Sequence, residues 1–407
     1  MASLKSRSRE RSSMSHPLVS HSSDLARLRD EGFDLEIRSN YLLVKHVPYV
    51  TSTREVAYGV IISELSTSGS STIRPSDHVV SFAGGIPCDQ HGSPLTKIIN
   101  STGAIQVAEG LVADCTFSSK PPVGYYADYH AKITSYVNML SGPAQVIDPA
   151  ATARTFPVVK VAEQDSVFRY LDSASSRARI SSITDKLALP KVALVGLGGT
   201  GSFILDLIVK TPIGEIHVYD RDILYAHNAF RAPGAASVQE LDAVPTKVEY
   251  YRRMYEVMRR GIVPHPVHVD ESNIDELRAM TFVFLAMDSG PAKKFIVTKL
   301  EEFGIPFIDA GMGVYRVGES LGGILRVTAS TPEHRTHVWD HQRIPFGDEE
   351  DDEYDRNIQT ADLNMLNAVL AVIKWKKLYG FYLDQEHEMF TTYTIGGNQL
   401  LNDDQTP

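Results

Sequence analysis

Apolar positions along the chain follow two rhythms. In the first third, short or alternating apolar runs at residues 41–46, 57–62 and 78–82 predict strands. Turn signals at Gly84-Gly85 and Pro121-Pro122 separate such runs. Over residues 126–140 the spacing becomes helical, with Tyr129, Ile133, Tyr136, Val137 and Leu140 on one face. Residues 23–155 therefore read as a small α+β domain, and nothing in it names an activity. From residue 191 the pattern alternates. Strand runs at 192–195, 215–219, 265–269, 281–286, 306–310 and 323–328 interleave with helical stretches near 246–259 and 291–303. That alternation predicts a largely parallel sheet covered by helices, in a domain spanning 191–400. Residues 156–190 read as a helical connector, with helical patterns at 166–175 and 180–187. A long mixed loop is expected over 329–356, and a closing helix over 357–379. Residues 1–22 and 401–407 are expected to be tails, the first disordered. It is basic and Ser-rich but has no apolar core, so it is not a secretory signal.

The start of the second domain carries the most chemistry. Residues 191–222 read KVALVGLGGTGSFILDLIVKTPIGEIHVYDRD. The order is strand, glycine turn, helix, strand and terminal acid, as a nucleotide-binding βαβ unit requires. Gly196, Gly198, Gly199 and Gly201 let the backbone approach a phosphate, and the helix start behind them offers free N–H groups. Asp220 lies about 20 residues beyond the turn, where it can accept hydrogen bonds from a ribose. A GxGxxG turn alone is a weak signal and by itself favours NAD or FAD. Four further features shift the reading. Gly199 makes the turn GxGGxG. Asp220-Arg221-Asp222 is followed by Asn228-Ala229-Phe230-Arg231. Lys247 opens the next helical stretch. The apolar strand 282–286 ends in Met287-Asp288-Ser289, with Lys293 and Lys294 beyond. Strand ends line the ligand crevice of a parallel sheet. An arginine, a lysine and carboxylates gathered there suit a triphosphate with Mg²⁺, which prefers oxygen ligands. A nicotinamide has no use for that set, so an oxidoreductase is disfavoured.

Composition narrows the setting. A net charge of −10 argues against nonspecific nucleic-acid binding. Two cysteines, Cys88 and Cys115, exclude a disulfide framework and a four-cysteine zinc site, and cytoplasmic residence is the simplest expectation. The longest apolar stretch, 363–378, is broken by Asn364, Asn367 and Lys374, so it reads as a buried helix and not as a membrane span.

Taken together, GLGGTG, DRD, NAFR, Lys247 and the strand-end Asp288 resemble the adenylation domain of the ThiF-like and ubiquitin-activating enzymes, over about residues 190–395. The resemblance implies a Rossmann-like fold that binds ATP·Mg²⁺ and adenylates the C-terminal glycine carboxylate of a ubiquitin-like protein, releasing pyrophosphate. By position it implies that Asp220 holds the ribose, with Asp222 beside it. Asn228, Arg231 and Lys247 would contact phosphates, and Asp288 would bind Mg²⁺. The full set in one chain argues against a noncatalytic scaffold. The whole chain is also similar to a bacterial subgroup in which this domain follows an uncharacterised N-terminal domain. Its operons encode ubiquitin-like and conjugating-enzyme-like proteins. Residues 44–50, 118–129, 227–235 and 361–382 carry that likeness. A homodimer is expected by the same resemblance, with Arg177 or Arg179 reaching the partner subunit's nucleotide. Adenylation of a sulfur carrier, a peptide or a tRNA base is the alternative.

The chain departs from the family in several places. No cysteine follows Cys115, so the usual thioester-forming position is empty, and the paired CxxC zinc motif is missing. Ser289 stands for the usual Asn, and Lys293 stands about where the family has Arg. Either the adenylate passes directly to a partner, or an N-terminal cysteine reaches across. Cys88, in the turn-like stretch 85–89, is the candidate for that thioester, whereas Cys115 flanks an apolar segment. His334, His337 and His341 have spacings that allow a metal site, though a polar loop is the simpler expectation. The acidic run 348–352 reads as a solvated loop or as a dock for a basic surface.

Overall fold

The computed structural model describes residues 12–14, 17–160, 166–178, 180–288, 290–347 and 358–402. They form two compact units. One comprises residues up to 165 together with 170–179, and the other comprises 166–169 together with 180 onward. The expected connector is thus divided between the two units and is not a separate element.

The first unit is built on a six-stranded antiparallel sheet. Its strands are β1 (Asp34–Arg38), β2 (Tyr41–Val50), β3 (Val56–Glu64), β4 (Val79–Ala83), β5 (Ile99–Ala108) and β6 (Leu111–Ser118), in the order β1-β2-β3-β4-β6-β5. In β2 the pairing shifts between Val44 and Val47, where His46 adopts a φ of +57°. This bulge keeps Leu42, Val44, Val47 and Tyr49 in one core despite the odd spacing. Strand β6 alternates cleanly, burying Leu111, Ala113, Cys115 and Phe117. Strand β5, INSTGAIQVA, is polar and largely exposed, so periodicity alone does not announce it. Helix α1 (Ser23–Asp30) adds Leu25 and Leu28 to the core. The long helix α2 (Tyr129–Ile147) begins three residues later than its apolar pattern, because Asp128 caps it by accepting from Ala131 N at 2.7 Å. It buries Tyr129, Ile133, Tyr136, Val137 and Leu140, the face read from the sequence. Within the expected tail, the backbone of Ser12–Met14 pairs in parallel with Val158–Lys160, and Pro17–His21 is helical. Residues 1–11 lie outside the described residues.

The second unit is a mixed α/β domain around an eight-stranded sheet. Five strands are parallel: β7 (Lys191–Val195), β8 (Glu215–Tyr219), β9 (Ile262–His265), β10 (Phe282–Leu285) and the start of β11 (Phe307–Val317). The sheet then continues antiparallel through β12 (Ser320–Ser330), β13 (Phe390–Thr394) and β14 (Gln399–Asn402). The order is β9-β8-β7-β10-β11-β12-β13-β14. Strand β9 lies at 262–265 and not at 265–269. Its Pro264 is tolerated because β9 is the edge strand. Helices α3 (Gly199–Ile208) and α6 (Ala361–Leu378) share one core with Val192, Leu194, Ile216, Val218 and Trp375. Helix α5 (Pro291–Phe303) covers the other face with Val195, Val283 and Leu285. Helix α4 (Lys247–Glu256) ends near Arg259, whose fully buried guanidinium donates to the carbonyls of Thr211, Ile213 and Gly214. These carbonyls lie between α3 and β8, so one side chain fixes that connection. No described helix is long and apolar enough to cross a membrane.

Candidate active site

The chain runs from β7 to β8 and β9 on one side, then returns to β10 on the other. The carboxyl end of β7 is therefore the point where strand order reverses, which is where open α/β sheets bind ligands. Gly196 sits there with φ +93°, and a Cβ on it would run into the Ala286 carbonyl oxygen. Gly201 is closed against the Gly196 carbonyl, and Gly199 against the side chain of Asn364. Gly198, which caps α3, faces open space. Three glycines thus let the turn pack tightly, and the fourth leaves its outer side clear for a ligand at a helix start.

Asp220 is buried and organises this turn. Its Oδ2 accepts from Leu197 N at 2.7 Å, and its Oδ1 accepts from Asp222 N at 2.8 Å. A carboxylate keeps further lone pairs for a ribose hydroxyl after those two bonds. Lys247 is 6% exposed, with its Nζ 2.8 Å from Asp222 Oδ2 and 3.5 Å from Asp220 Oδ2. The Lys247 ammonium holds the Asp222 carboxyl below the usual range. Asn228 is buried and accepts from Tyr225 N at 2.9 Å, so it shapes the short turn that leads to Arg231. Among the described residues, the Arg231 Nε is buried with no hydrogen-bond partner. A buried donor of this kind is costly unless something fills it, and a phosphate oxygen suits a guanidinium. Asp288 is exposed just beyond the end of β10. It has the chemistry for Mg²⁺ held jointly with phosphate oxygens. The residues present thus fit ATP with a divalent cation.

Residues that local reading misses complete the site. Asn364, fully buried on α6, accepts from Thr200 Oγ1 at 3.0 Å and donates to the Arg231 carbonyl at 3.3 Å. It therefore links the glycine turn to the Arg231 turn. The sequence shows Asn364 and Asn367 only as interruptions in an apolar helix. Asn367 donates to the Gly311 carbonyl at 3.0 Å. Asp309, on β11, is wholly buried between Lys293 Nζ at 2.9 Å and an Arg326 nitrogen at 2.7 Å. Burial opposes its ionisation, but Lys293 and Arg326 overcome that and hold its carboxyl below the usual range. The signal that could have found Asp309 was a lone acid inside an apolar strand run, which calls for a buried partner.

Other expected residues lie elsewhere. Cys88 is not in an exposed turn: it is 1% exposed and its N donates to the Val50 carbonyl. Burial, and then Asp89, push its thiol pKa up, and burial with Asp114 pushes that of Cys115 up to about 12. A thioester-forming cysteine needs the opposite shift. Arg177 is exposed in the first unit, stacked over Phe156 at 5.4 Å. Arg179, Ser289 and residues 348–352 lie outside the described residues. Among the described residues no cluster of His, Cys, Asp and Glu is placed to hold a metal. The His337 ring lies 3.0 Å from the Ala329 carbonyl, and the three loop histidines do not converge.

The ThiF family model matches residues 161–378, more than half of the chain. A second model, DUF6791, a domain of unknown function, matches residues 23–173. No curated protein matches the sequence. Among solved structures, E. coli MccB with MccA-N7isoASN is similar at 16% identity and a TM-score of 0.45, over 57% of this chain and 69% of that one. PaaA is similar at 16% identity and a TM-score of 0.44, over 56% of this chain and 76% of that one. E. coli MccB with ATP is similar at 15% identity and a TM-score of 0.45, over 57% of this chain and 70% of that one.

Proposed function

The chain belongs to the ThiF family and is an adenylyltransferase; from that premise we propose that it adenylates the C-terminal carboxylate of a peptide chain. A free peptide and the tail of a ubiquitin-like protein both present this end, which is chemically the same in each. The carboxylate oxygen attacks the α-phosphorus of ATP, the bond to the bridging oxygen breaks, and pyrophosphate leaves. The chemistry needs no side-chain nucleophile. It needs two anions brought into line, so catalysis is positioning and charge neutralisation. In this reading the glycine turn and the start of α3 take the phosphates, and Asp220 takes the ribose. Arg231 and Lys247 stabilise charge on the phosphates. Asp288 would hold Mg²⁺, which would supply charge screening of the triphosphate. The observation that carries the reading is the buried Arg231 Nε, partnerless among the described residues, in a turn that Asn364 ties to Thr200 of the glycine turn.

Both cysteines are buried. The adenylate is therefore handed on without an enzyme thioester, directly to a thiol or amine of a partner such as a conjugating-enzyme-like protein. A homodimer would supply any arginine acting in trans, and light scattering giving a monomer counts against that part. The test of the main reading is calorimetric titration with ATP·Mg²⁺, followed by intact-mass analysis of acceptors ending in a free carboxylate. The wild-type protein should bind ATP and add one AMP to an acceptor. Lys247→Ala should bind ATP at least about tenfold more weakly, the loss of one charge-assisted contact. A wild-type protein that does not bind ATP overturns the reading.

A further inference from the structure

Two cations, one buried and one partly exposed, surround one buried anion in the second unit. Lys293 is 2% exposed and Asp309 is fully buried, while Arg326 is 18% exposed at its side chain. Two positive charges share one carboxylate, so the group of three carries one net positive charge. Among the described residues the Arg326 Nε is buried without a hydrogen-bond partner, although another nitrogen of the same guanidinium is held by Asp309. Such a donor beside a surplus charge is costly to leave unfilled, and an anion would satisfy it.

Register shows where that anion would lie. Leu285, the last residue of β10, pairs with Asp309, and Gly311 pairs with Arg326. Arg326 therefore sits two residues past the level of the Leu285–Asp309 pair, toward the carboxyl end of β10, on the second strand over from it. The absence of a side chain at Gly311 makes room for the guanidinium, since a Cβ there would overlap an Arg326 nitrogen. Arg231 and Lys247 belong to the side of the glycine turn that follows β8. Arg326 lies on the opposite side, past β10. Asn364 and Asn367 on α6 run between the two, touching Thr200 and Gly311. The carboxyl end of the sheet thus carries two separate cationic positions, one following β8 and one on β12.

We infer that Arg326 binds the carboxylate of the acceptor, with Asp309 as the positioning residue that fixes its guanidinium. This rests on the adenylation reading. An adenylating enzyme must hold a second anion next to the triphosphate, and a cation apart from the phosphate-binding pair does so. The planar arginine fork matches a carboxylate in two-point contact, which a lysine cannot copy. Lys293 neutralises Asp309 and leaves the arginine charge for the ligand.

The test uses diglycine as the carboxylate probe and its C-terminal amide as the control, on the full chain loaded with a non-hydrolysable ATP analogue and Mg²⁺. Saturation-transfer NMR should show diglycine bound to the wild-type protein and the amide not bound. Arg326→Gln should weaken diglycine at least about tenfold, as expected for losing a charged hydrogen bond, and leave analogue affinity within about twofold. Undiminished diglycine binding in Arg326→Gln, equal binding of the amide, or no diglycine binding by the wild type overturns the assignment. A parallel loss of analogue affinity overturns it too, by placing Arg326 on the nucleotide. If Arg326→Gln does not melt cooperatively, Arg326→Lys keeps Asp309 paired and carries the test. It should bind diglycine more weakly than wild type, and unchanged binding counts against the fork. Failure of the wild type to bind the analogue at all is the distinct result that removes the adenylation reading, and this one with it.

Discussion

Asp309 shows how much one buried charge can govern. With both cations in place it is stabilising, and without it the buried Lys293 and the partly exposed Arg326 lose their shared partner. Asp309→Asn should therefore cost about 3–5 kcal/mol at neutral pH by denaturant melts. The pH dependence follows from its lowered pKa. A depressed carboxylate contributes stability above its unfolded pKa, about 3.9, and loses it as pH falls through the folded value. The gap between wild type and Asp309→Asn should thus be constant above about pH 5 and narrow on acidification below about pH 4. A gap that widens in acid would contradict the pairing. The cysteines make a second residue-scale case. Both thiols are buried with raised pKa values, so native protein at pH 7 should react with iodoacetamide far more slowly than unfolded protein. Rapid single-site labelling at Cys88 would reinstate it as a nucleophile.

At the scale of elements, the strand–turn–helix at 191–208 is tied to its neighbours by close backbone approach. Gly196 combines a positive φ with the Ala286 carbonyl against its Cα. Gly196→Ala must strain the turn or push β10 outward, at a cost of about 1–3 kcal/mol. ATP affinity in calorimetry should fall at least about tenfold while far-UV circular dichroism stays unchanged. Wild-type affinity in that variant would mean the turn is not the phosphate site. Arg259 acts between elements in a different way, by occupying carbonyls between α3 and β8. Arg259→Met should strand those acceptors and lower stability by about 2–4 kcal/mol, measured by urea melts. Strand β9 is the element that pattern reading shifted: HPVHV alternates well, yet the pairing falls on Ile262–His265. Which of two overlapping alternations is chosen depends on the neighbouring strand, which the local sequence does not contain.

For the molecule as a whole, the two units are interleaved in sequence. Ser166–Arg169 belongs to the second unit, where Arg260 N donates to the Val167 carbonyl at 2.7 Å and Arg169 N donates to the Met258 carbonyl at 2.9 Å. Phe168 is 8% exposed there. A fragment beginning at residue 180 loses that strap, and burial of one phenylalanine is worth about 2 kcal/mol. It should melt about 4–8 °C below a fragment beginning at residue 166. Equal melting temperatures would show that the strap adds nothing. The sequence by itself determined the βαβ unit, the glycine turn, the terminal acid Asp220 and the α2 core face. Those features are written within single elements, as period-two and period-3.6 burial and as turn chemistry. Only the tertiary structure decided that Cys88 is buried, that Asn364 joins the glycine turn to Arg231, and that Lys293, Asp309 and Arg326 form one charged group. Each of these depends on register and packing between segments far apart in the chain. A residue's own neighbours in sequence record which side is buried but not which partner it meets there.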